Sequence, residues 1–441
     1  MALHTPVSLR NQTIYSVYIR NHTAEGTLRA ASADLERIKK LGADIVWLMP
    51  IHPIGLKHRK GGAGSPYAIS DYRAVNPEYG TMEDARDFAQ KAHELGMKVI
   101  LDVVYNHTSP DSMLFRDHPD WFYRKKNGEP GNRIGDWSDI IDLDLNNSFL
   151  SQYLIDSLIF WLKEGFDGFR CDVAPLLPLS FWMEARRQCD LIKPDAVWLS
   201  ESVEPRFLLE LRQRSYGCLS DSEIFRAFDI AYDYDSFDVF KMYMEGKASF
   251  EDFLDVKRRQ EFIFPDNYIK LRFCENHDQE RSRFWMENKR AHRNWTAFTA
   301  FEKGTLLVYA GQERADAHRS DLFDADPVLW DTEPEFERYL SALIILRRHP
   351  LHLGGFYAIH KTGTAGVAAA SYRSKAADLS VQRLRLGIFT IEDKKGILDL
   401  DSALPEGVID WKGRNLIDGG EINIMKRKMA IPAEPVIIDI L

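Results

Sequence analysis

Cysteine is scarce in this chain: four of 441 residues, Cys171, Cys189, Cys218 and Cys274. Their irregular spacing fits neither a zinc ligand set nor a disulfide framework. Cys171 and Cys274 sit inside strand-like runs, which predicts buried, reduced thiols. Positive charge is not in excess either. The net charge of -9 offers no electrostatic attraction to nucleic acid or an anionic membrane. No apolar run is long enough to cross a bilayer. The opening residues, Met1 to Pro6, contain no basic stretch followed by an apolar core, so no secretory leader is expected. Together these absences predict a cytoplasmic protein, in which the Asn-x-Thr matches at Asn11, Asn21 and Asn106 are not glycosylation sites. Internal repeats and low-complexity linkers are missing too. What remains, 45% apolar and 28% charged residues, is the composition of an ordinary globular chain.

The apolar residues are ordered in a repeating way. Short strand-like runs alternate with longer amphipathic segments from about Thr13 to Glu313. The runs are Ile14–Ile19, Asp44–Met49, Lys98–Tyr105, Gly168–Val173, Val197–Ser202, Phe225–Ile230, Ile269–Cys274 and Thr305–Tyr309. They are nearly continuous in apolar residues, as strands covered on both faces are. Thr81-Met82-Glu83-Asp84 opens a helix with a capping-box pattern, and Ala85, Phe88, Ala92 and Leu95 give it one apolar face. Leu150, Leu154, Leu158 and Trp161 do the same for another. Gly42, Gly96, Gly165 and Gly304 each stand between a helix and the next strand. Eight such units predict an α/β fold, a (β/α)8 TIM barrel over 1–107 and 148–348. Residues 108–147 interrupt it with a polar loop rich in aromatics, read as a small inserted domain whose core takes most of Trp121, Phe122, Tyr123 and Trp137, with lining of a sugar groove as the alternative. Beyond Arg348 the period changes to short strands with turns, which predicts an antiparallel β domain over 349–441.

Chemistry in such a barrel gathers where the strands end. Strand four ends Gly168-Phe169-Arg170-Cys171-Asp172. Residues two apart on a strand share a face, so Arg170 lies beside Asp172 and keeps it ionised. Strand three runs out through Asp102 to Asn106 and His107, strand five to Glu201, and strand seven to Asn276, His277 and Asp278. Three carboxylates at strand ends suit a retaining glycosidase, which needs one carboxylate as nucleophile and one carboxylic acid as proton donor. Asp172 fits the nucleophile. Glu201, with no cation adjacent in sequence, fits an acid whose pKa is raised by desolvation. Asp278, His107 and His277 are placed to bind sugar hydroxyls, while Asp102 is read as a structural hydrogen-bond partner. Lys60-Gly61-Gly62-Ala63-Gly64-Ser65 lacks the ending of a phosphate loop, and nucleotide binding is not expected.

These segments resemble the signature regions of the α-amylase family of retaining glycoside hydrolases. Asp102-Val103-Val104-Tyr105-Asn106-His107 resembles the first, Gly168-Phe169-Arg170-Cys171-Asp172 the second, Ser200-Glu201-Ser202 the third and Glu275-Asn276-His277-Asp278 the fourth. Trp47-Leu48-Met49-Pro50 and Ile141-Asp142-Leu143-Asp144 match further family motifs, and Tyr67 resembles the tyrosine that stacks under the sugar. The resemblance implies action on α-linked glucose polymers such as maltodextrins, with Asp172 as nucleophile, Glu201 as acid/base and Asp278 as transition-state stabiliser. It also implies substrate contacts from Tyr67, His107, Arg170 and His277.

The chain departs from the family behind the nucleophile. Many members carry Lys-His three and four residues on, where this chain has Pro175 and Leu176. That pair touches the leaving sugar, and its histidine supplies a carbonyl to a structural calcium. Asn106 and Asp142 still match calcium-ligand positions, but a calcium ion takes six or more oxygens. No cofactor is therefore expected to be required, and calcium stays open at those two residues. Val173 follows the nucleophile as in relatives that cut α-1,6 links. The expectation is an α-1,4-acting hydrolase. The alternatives are an α-1,6-glucosidase, a transglycosylase, or a non-catalytic sugar-binding relative, which should have lost a carboxylate.

Overall fold

The structure is a computed structural model that describes residues 5–134, 137–374 and 383–440. Residues 1–4, part of the stretch read for a leader, lie outside the described residues. Eight parallel strands close into a barrel: β1 (Thr13–Val17), β2 (Ile45–Leu48), β3 (Lys98–Val103), β4 (Gly168–Cys171), β5 (Val197–Ser200), β6 (Ile230–Tyr232), β7 (Lys270–Arg272) and β8 (Thr305–Tyr309). The strands stand in sequence order around it. Every residue of β1, β2 and β8 is buried, which is why the runs are apolar without alternation.

The chain divides into two compact units. The first includes Ile14–Tyr232 and Arg319–Leu329; the second includes Thr5–Thr13, Asp233–His318 and Trp330–Leu441. In the first, helix α1 (Met82–Glu94) starts at the capping box expected at Thr81 and Asp84, and buries Ala85, Phe88 and Ala92. Helix α2 (Ser148–Lys163) buries Leu150, Leu154, Leu158 and Trp161. Helix α3 (Leu179–Asp190) follows β4. Registers are set residue by residue: Asp102 of β3 faces Arg170 of β4, and Arg170 faces Leu199 of β5. Between β3 and β4, His107–Thr108 pairs with Ile141–Asp142. Trp121 and Phe122 are buried there, whereas Tyr123 and Trp137 are half-buried.

The sixth strand differs from expectation. Ser220 and Glu223 form a reciprocal cap that turns Asp221–Ile224 into a helical turn, so the strand begins only at Ile230. A Ser-x-x-Glu pattern satisfies the first backbone donors of a helix and outweighs local strand propensity.

In the second unit, β7 and β8 are followed by a four-stranded antiparallel sheet of β9 (Phe356–His360), β10 (Val367–Arg373), β11 (Leu384–Thr390) and β12 (Val436–Ile440), in that order. Leu384, Leu386, Ile388, Ile438 and Ile440 anchor its core with Leu398, Leu400 and Ile424. Short ladders join Ile397–Asp399 to Lys428–Ala430 and Trp411–Arg414 to Glu421–Ile424. The short strands expected in this region include one over Trp411–Arg414, and β9 extends the sheet at its edge. All four cysteines are free and buried. Burial pushes the Cys189 and Cys274 thiols up to about 12, so they stay protonated at neutral pH. Among the described residues, no helix is long and apolar enough to cross a membrane.

Candidate active site

The first unit is organised around one cation. Arg170 is fully buried in the middle of β4. Its Nη1 donates to Asp102 Oδ1 at 2.8 Å and to Asp172 Oδ1 at 2.9 Å. Its Nη2 lies 3.0 Å from Glu201 Oε2. The ring faces of Trp47, Tyr67 and Tyr232 lie 5.2, 5.6 and 5.6 Å from the guanidinium carbon. A guanidinium has five N–H donors in a rigid plane, so one residue can hold three carboxylates.

The partners arrive for local reasons. Asp102 stands opposite Arg170 in the parallel register. Asp172 is two residues on, on the same face, and its N–H donates to the Val103 carbonyl at 2.9 Å. Glu201 follows β5, its N–H donating to the Cys171 carbonyl at 3.0 Å. Burial pushes the Asp102 carboxyl above the usual carboxylate range, against the pull of Arg170. Asp172 and Glu201 are each under one-tenth exposed.

Glu201 differs from its expectation. No cation neighbours it in sequence, yet Arg170, 31 positions earlier, reaches its Oε2. The Val173 N–H also donates to that oxygen, at 2.7 Å.

The other expected residues of this unit gather nearby. The Tyr67 hydroxyl donates to Asp102 Oδ2 at 3.2 Å, which ties its ring to the same cluster. His107 is buried, its ring 5.4 Å from that of Trp137, and its backbone carbonyl accepts from the Tyr72 hydroxyl at 2.8 Å. Tyr232, at the end of β6, was not foreseen, because the sixth strand was expected five residues too early.

In the second unit, Glu275, Asn276, His277 and Asp278 follow β7. The Asn276 side chain shapes the turn: its Oδ1 accepts from the Asp278 N–H at 2.9 Å and its Nδ2 donates to the Tyr234 hydroxyl at 3.1 Å. His277 Nε2 lies 3.0 Å from Asp278 Oδ2. His277 is buried, and the Asp278 side chain is 36% exposed. Glu275 carries no expected role, yet it is buried and accepts from Arg281 Nη1 and the Ser282 N–H, each at 2.7 Å. These bonds tie the turn to the following segment.

Asn106 and Asp142, the residues left open for calcium, both have partners within the protein. The backbone N–H of Arg133 donates to Asp142 Oδ2 at 2.8 Å, and Arg133 Nη1 lies 3.5 Å from the same oxygen. The Arg133 guanidinium is seated 4.4 Å from the centre of the Tyr123 ring. Asn106 turns its amide nitrogen to His107 Nδ1 at 3.2 Å. Among the described residues, no three His, Cys, Asp or Glu side chains are grouped to hold a metal. Calcium requires six to eight oxygens, and the carboxylate that remains already faces an arginine. A cavity of about 580 Å³ opens beside Asn106 and Arg133, bordered by Pro175, Leu176, Arg212 and Tyr216.

Known proteins share this fold. The family model described as "Alpha amylase, catalytic domain" matches residues 11–325. The crystal structure of an alpha-amylase from Lactobacillus plantarum superposes with a TM-score of 0.92 at 41% identity, covering 99% of this chain and 100% of that one. A noncanonic maltogenic alpha-amylase from Thermotoga neapolitana gives a TM-score of 0.87 at 32% identity, covering 98% and 99%. An alpha-1,4-glucan:maltose-1-phosphate maltosyltransferase of Arcanobacterium haemolyticum is 34% identical over 197 residues, 40% of this chain. The chain spans only 28% of that relative's length.

Proposed function

Given that the chain belongs to the alpha-amylase family of glycosidases, we propose that it hydrolyses α-1,4-glucosidic bonds in maltodextrins by double displacement. One observation carries the reading: a single buried guanidinium contacts both Asp172 Oδ1 and Glu201 Oε2. That bridge favours the close carboxyl pair of a retaining enzyme, about 5–5.5 Å apart, over the wider pair that admits a water. In the first step Asp172 Oδ2 attacks the anomeric carbon. The bond to the departing sugar oxygen breaks, and that oxygen takes the proton of Glu201. In the second step Glu201, now a carboxylate, takes a proton from water. The resulting hydroxide nucleophile displaces Asp172 and leaves the acid reprotonated.

Arg170 Nη1, 2.9 Å from Asp172 Oδ1, orients the nucleophile so that Oδ2 faces the sugar. Tyr67 stacks on the sugar ring, and His107 and His277 donate to its hydroxyls. Asp278 favours the distorted, positively charged ring of the transition state. No metal is assigned a role. The catalytic barrel is taken as 1–107 with 148–348, the inserted domain as 108–147 and the β domain as 349–441. The enzyme works in the cytoplasm on α-linked gluco-oligosaccharides.

A second reading has a sugar in place of water accept the glycosyl group. The partial resemblance to a maltosyltransferase favours it, and both readings share the first step. A non-catalytic sugar-binding role is disfavoured, since all three carboxylates are retained.

Proton NMR of maltotriose cleavage tests the proposal. The first product should carry the α-anomer, and Asp172→Asn should fold yet lose essentially all turnover. A β-anomeric first product, or a working Asp172→Asn enzyme, overturns the assignment. Adding a second sugar as acceptor separates the two readings by whether longer oligosaccharides accumulate.

A further inference from the structure

Val173, immediately after the proposed nucleophile, has φ 35° and ψ 43°, in the left-handed region. A β-branched side chain enters that region only when its surroundings force it. Here they do, on both sides. Before it, the Asp172 N–H is fixed to the Val103 carbonyl at 2.9 Å. After it, the Leu176 N–H donates to the Val173 carbonyl at 2.9 Å, closing a 3-10 turn over Ala174–Leu176. The Ala174 carbonyl accepts from Trp182 Nε1 at 2.9 Å, and the Pro175 carbonyl accepts from the Leu219 N–H at 2.9 Å.

The consequence lies in where one N–H ends up. Along β4 the ladder alternates: the Cys171 carbonyl faces β5, accepting the Glu201 N–H, and the Asp172 N–H faces β3. The Val173 N–H is therefore on the β5 side again. The left-handed turn lifts the chain off the ladder at this residue. The acceptor that meets the N–H is the Glu201 carboxylate, at 2.7 Å, in place of a strand carbonyl. Arg170 Nη2 lies 3.0 Å from the same oxygen, Oε2. An oxygen that accepts one hydrogen bond and faces a guanidinium nitrogen at ion-pair distance is a poor place for a proton of its own.

The geometry points to the Val173 backbone N–H as the group that positions the Glu201 carboxyl, so that the proton delivered to the departing sugar is carried on Oε1. This rests on Glu201 being the acid/base. Val173 is then a positioning residue, and its strained turn is what aims the acid. Among the described residues, the charged and titratable groups facing Glu201 include Arg170 from β4, Tyr232 from β6, and, through the shared guanidinium, Asp102 and Asp172.

The test removes one atom pair. Replacing Val173 by its α-hydroxy acid through suppression mutagenesis gives an ester that keeps the side chain and lacks the N–H. Kinetics on maltotriose and on α-maltosyl fluoride, with the pH profile of kcat/KM, are compared for wild type, the ester and Glu201→Gln. The fluoride needs little protonation. The ester should lose about tenfold more activity on maltotriose than on the fluoride. Its basic limb should move up by about half a pH unit, because a donor that favoured the carboxylate is gone. If Glu201→Gln shows leaving-group dependence and the ester shows none, with an unmoved profile, the inference is overturned and the acid assignment stands. If Glu201→Gln loses equally on both substrates, the acid assignment fails and this inference with it. Should the ester not fold, Val173→Gly serves. It relaxes the turn, so kcat on maltotriose should fall with the same upward move of the basic limb, and an unchanged profile overturns the inference.

Discussion

At the scale of single residues, Arg170 decides most. Its plane serves Asp102, Asp172 and Glu201 at once, which a lysine's point charge cannot do. Arg170→Lys should lower kcat/KM on maltotriose by about 10²–10⁴-fold, the order of a lost acid/base arrangement. Breaking a buried ion pair typically costs about 3–5 kcal/mol, so a parallel drop in the urea midpoint is expected. A variant with full activity would remove Arg170 from the machinery. Val173 carries a second consequence. On the proposed mechanism it borders the leaving-sugar side, where Pro175 and Leu176 offer no polar side-chain group. Such pocket changes shift discrimination by about 10–200-fold. The wild type should cut mainly α-1,4 bonds with measurable α-1,6 activity, and Val173→Thr should raise the ratio of kcat/KM on maltotriose to that on isomaltotriose. An unchanged ratio removes Val173 as a determinant. Sequence showed the Arg170–Asp172 pair because strand period alone places it. It could not show that Arg170 also reaches Glu201, since that contact comes from parallel register between β4 and β5.

At the scale of elements, the joins between helix and strand are where sequence spoke clearly. Gly42, Gly96, Gly165 and Gly304, expected as helix stops, all have positive φ. Gly168 is the tightest case of another kind. With φ 143°, it opens β4 so close to β5 that a Cβ would sit 2.1 Å from the Val197 carbonyl oxygen. Gly168→Ala should therefore destabilise by about 3 kcal/mol or more, since backbone must move. It should also cost activity, because β4 carries Arg170. Thermal unfolding that matches wild type would show that the strands separate without penalty. The elements that escaped expectation have physical reasons. The sixth strand was displaced by the Ser220–Glu223 cap. The β9 strand buries every second residue, Tyr357 and Ile359, but its sequence Phe356-Tyr357-Ala358-Ile359-His360 is apolar on both faces until His360, so the alternation does not show in the chain. Pairings such as β9 with β10 are made between segments, and a single chain read in order does not display them.

At the scale of the whole molecule, acid is the expected weakness. Burial holds His292 down to about 3 and both His52 and His360 down to about 4. Between those values and about 6.5 the unfolded chain binds protons that the native state refuses. Stability therefore rises with pH in that window and falls on acidification, by up to about 1.4 kcal/mol per pH unit for each group. Urea unfolding at pH 7, 6, 5 and 4 should show a steady decline, with a shallower slope in His292→Gln. Constant stability across the series contradicts this. Metal should matter little. With Arg133 facing Asp142, melting temperature should agree within about 1 °C in EDTA and in excess calcium, because only a ligand that binds the native state raises it. A several-degree loss in EDTA, restored by calcium, would reinstate Asn106 and Asp142 as ligands. The shared guanidinium also has an evolutionary side. Asp172→Asn would leave Arg170 still paired with Asp102 and Glu201, and an amide occupies the volume of the acid it replaces. With Asp172 as the proposed nucleophile, the scaffold would survive the loss of its chemistry. A sugar-binding protein that senses rather than cuts is thus one nucleotide change away from this enzyme, and the return path is equally short.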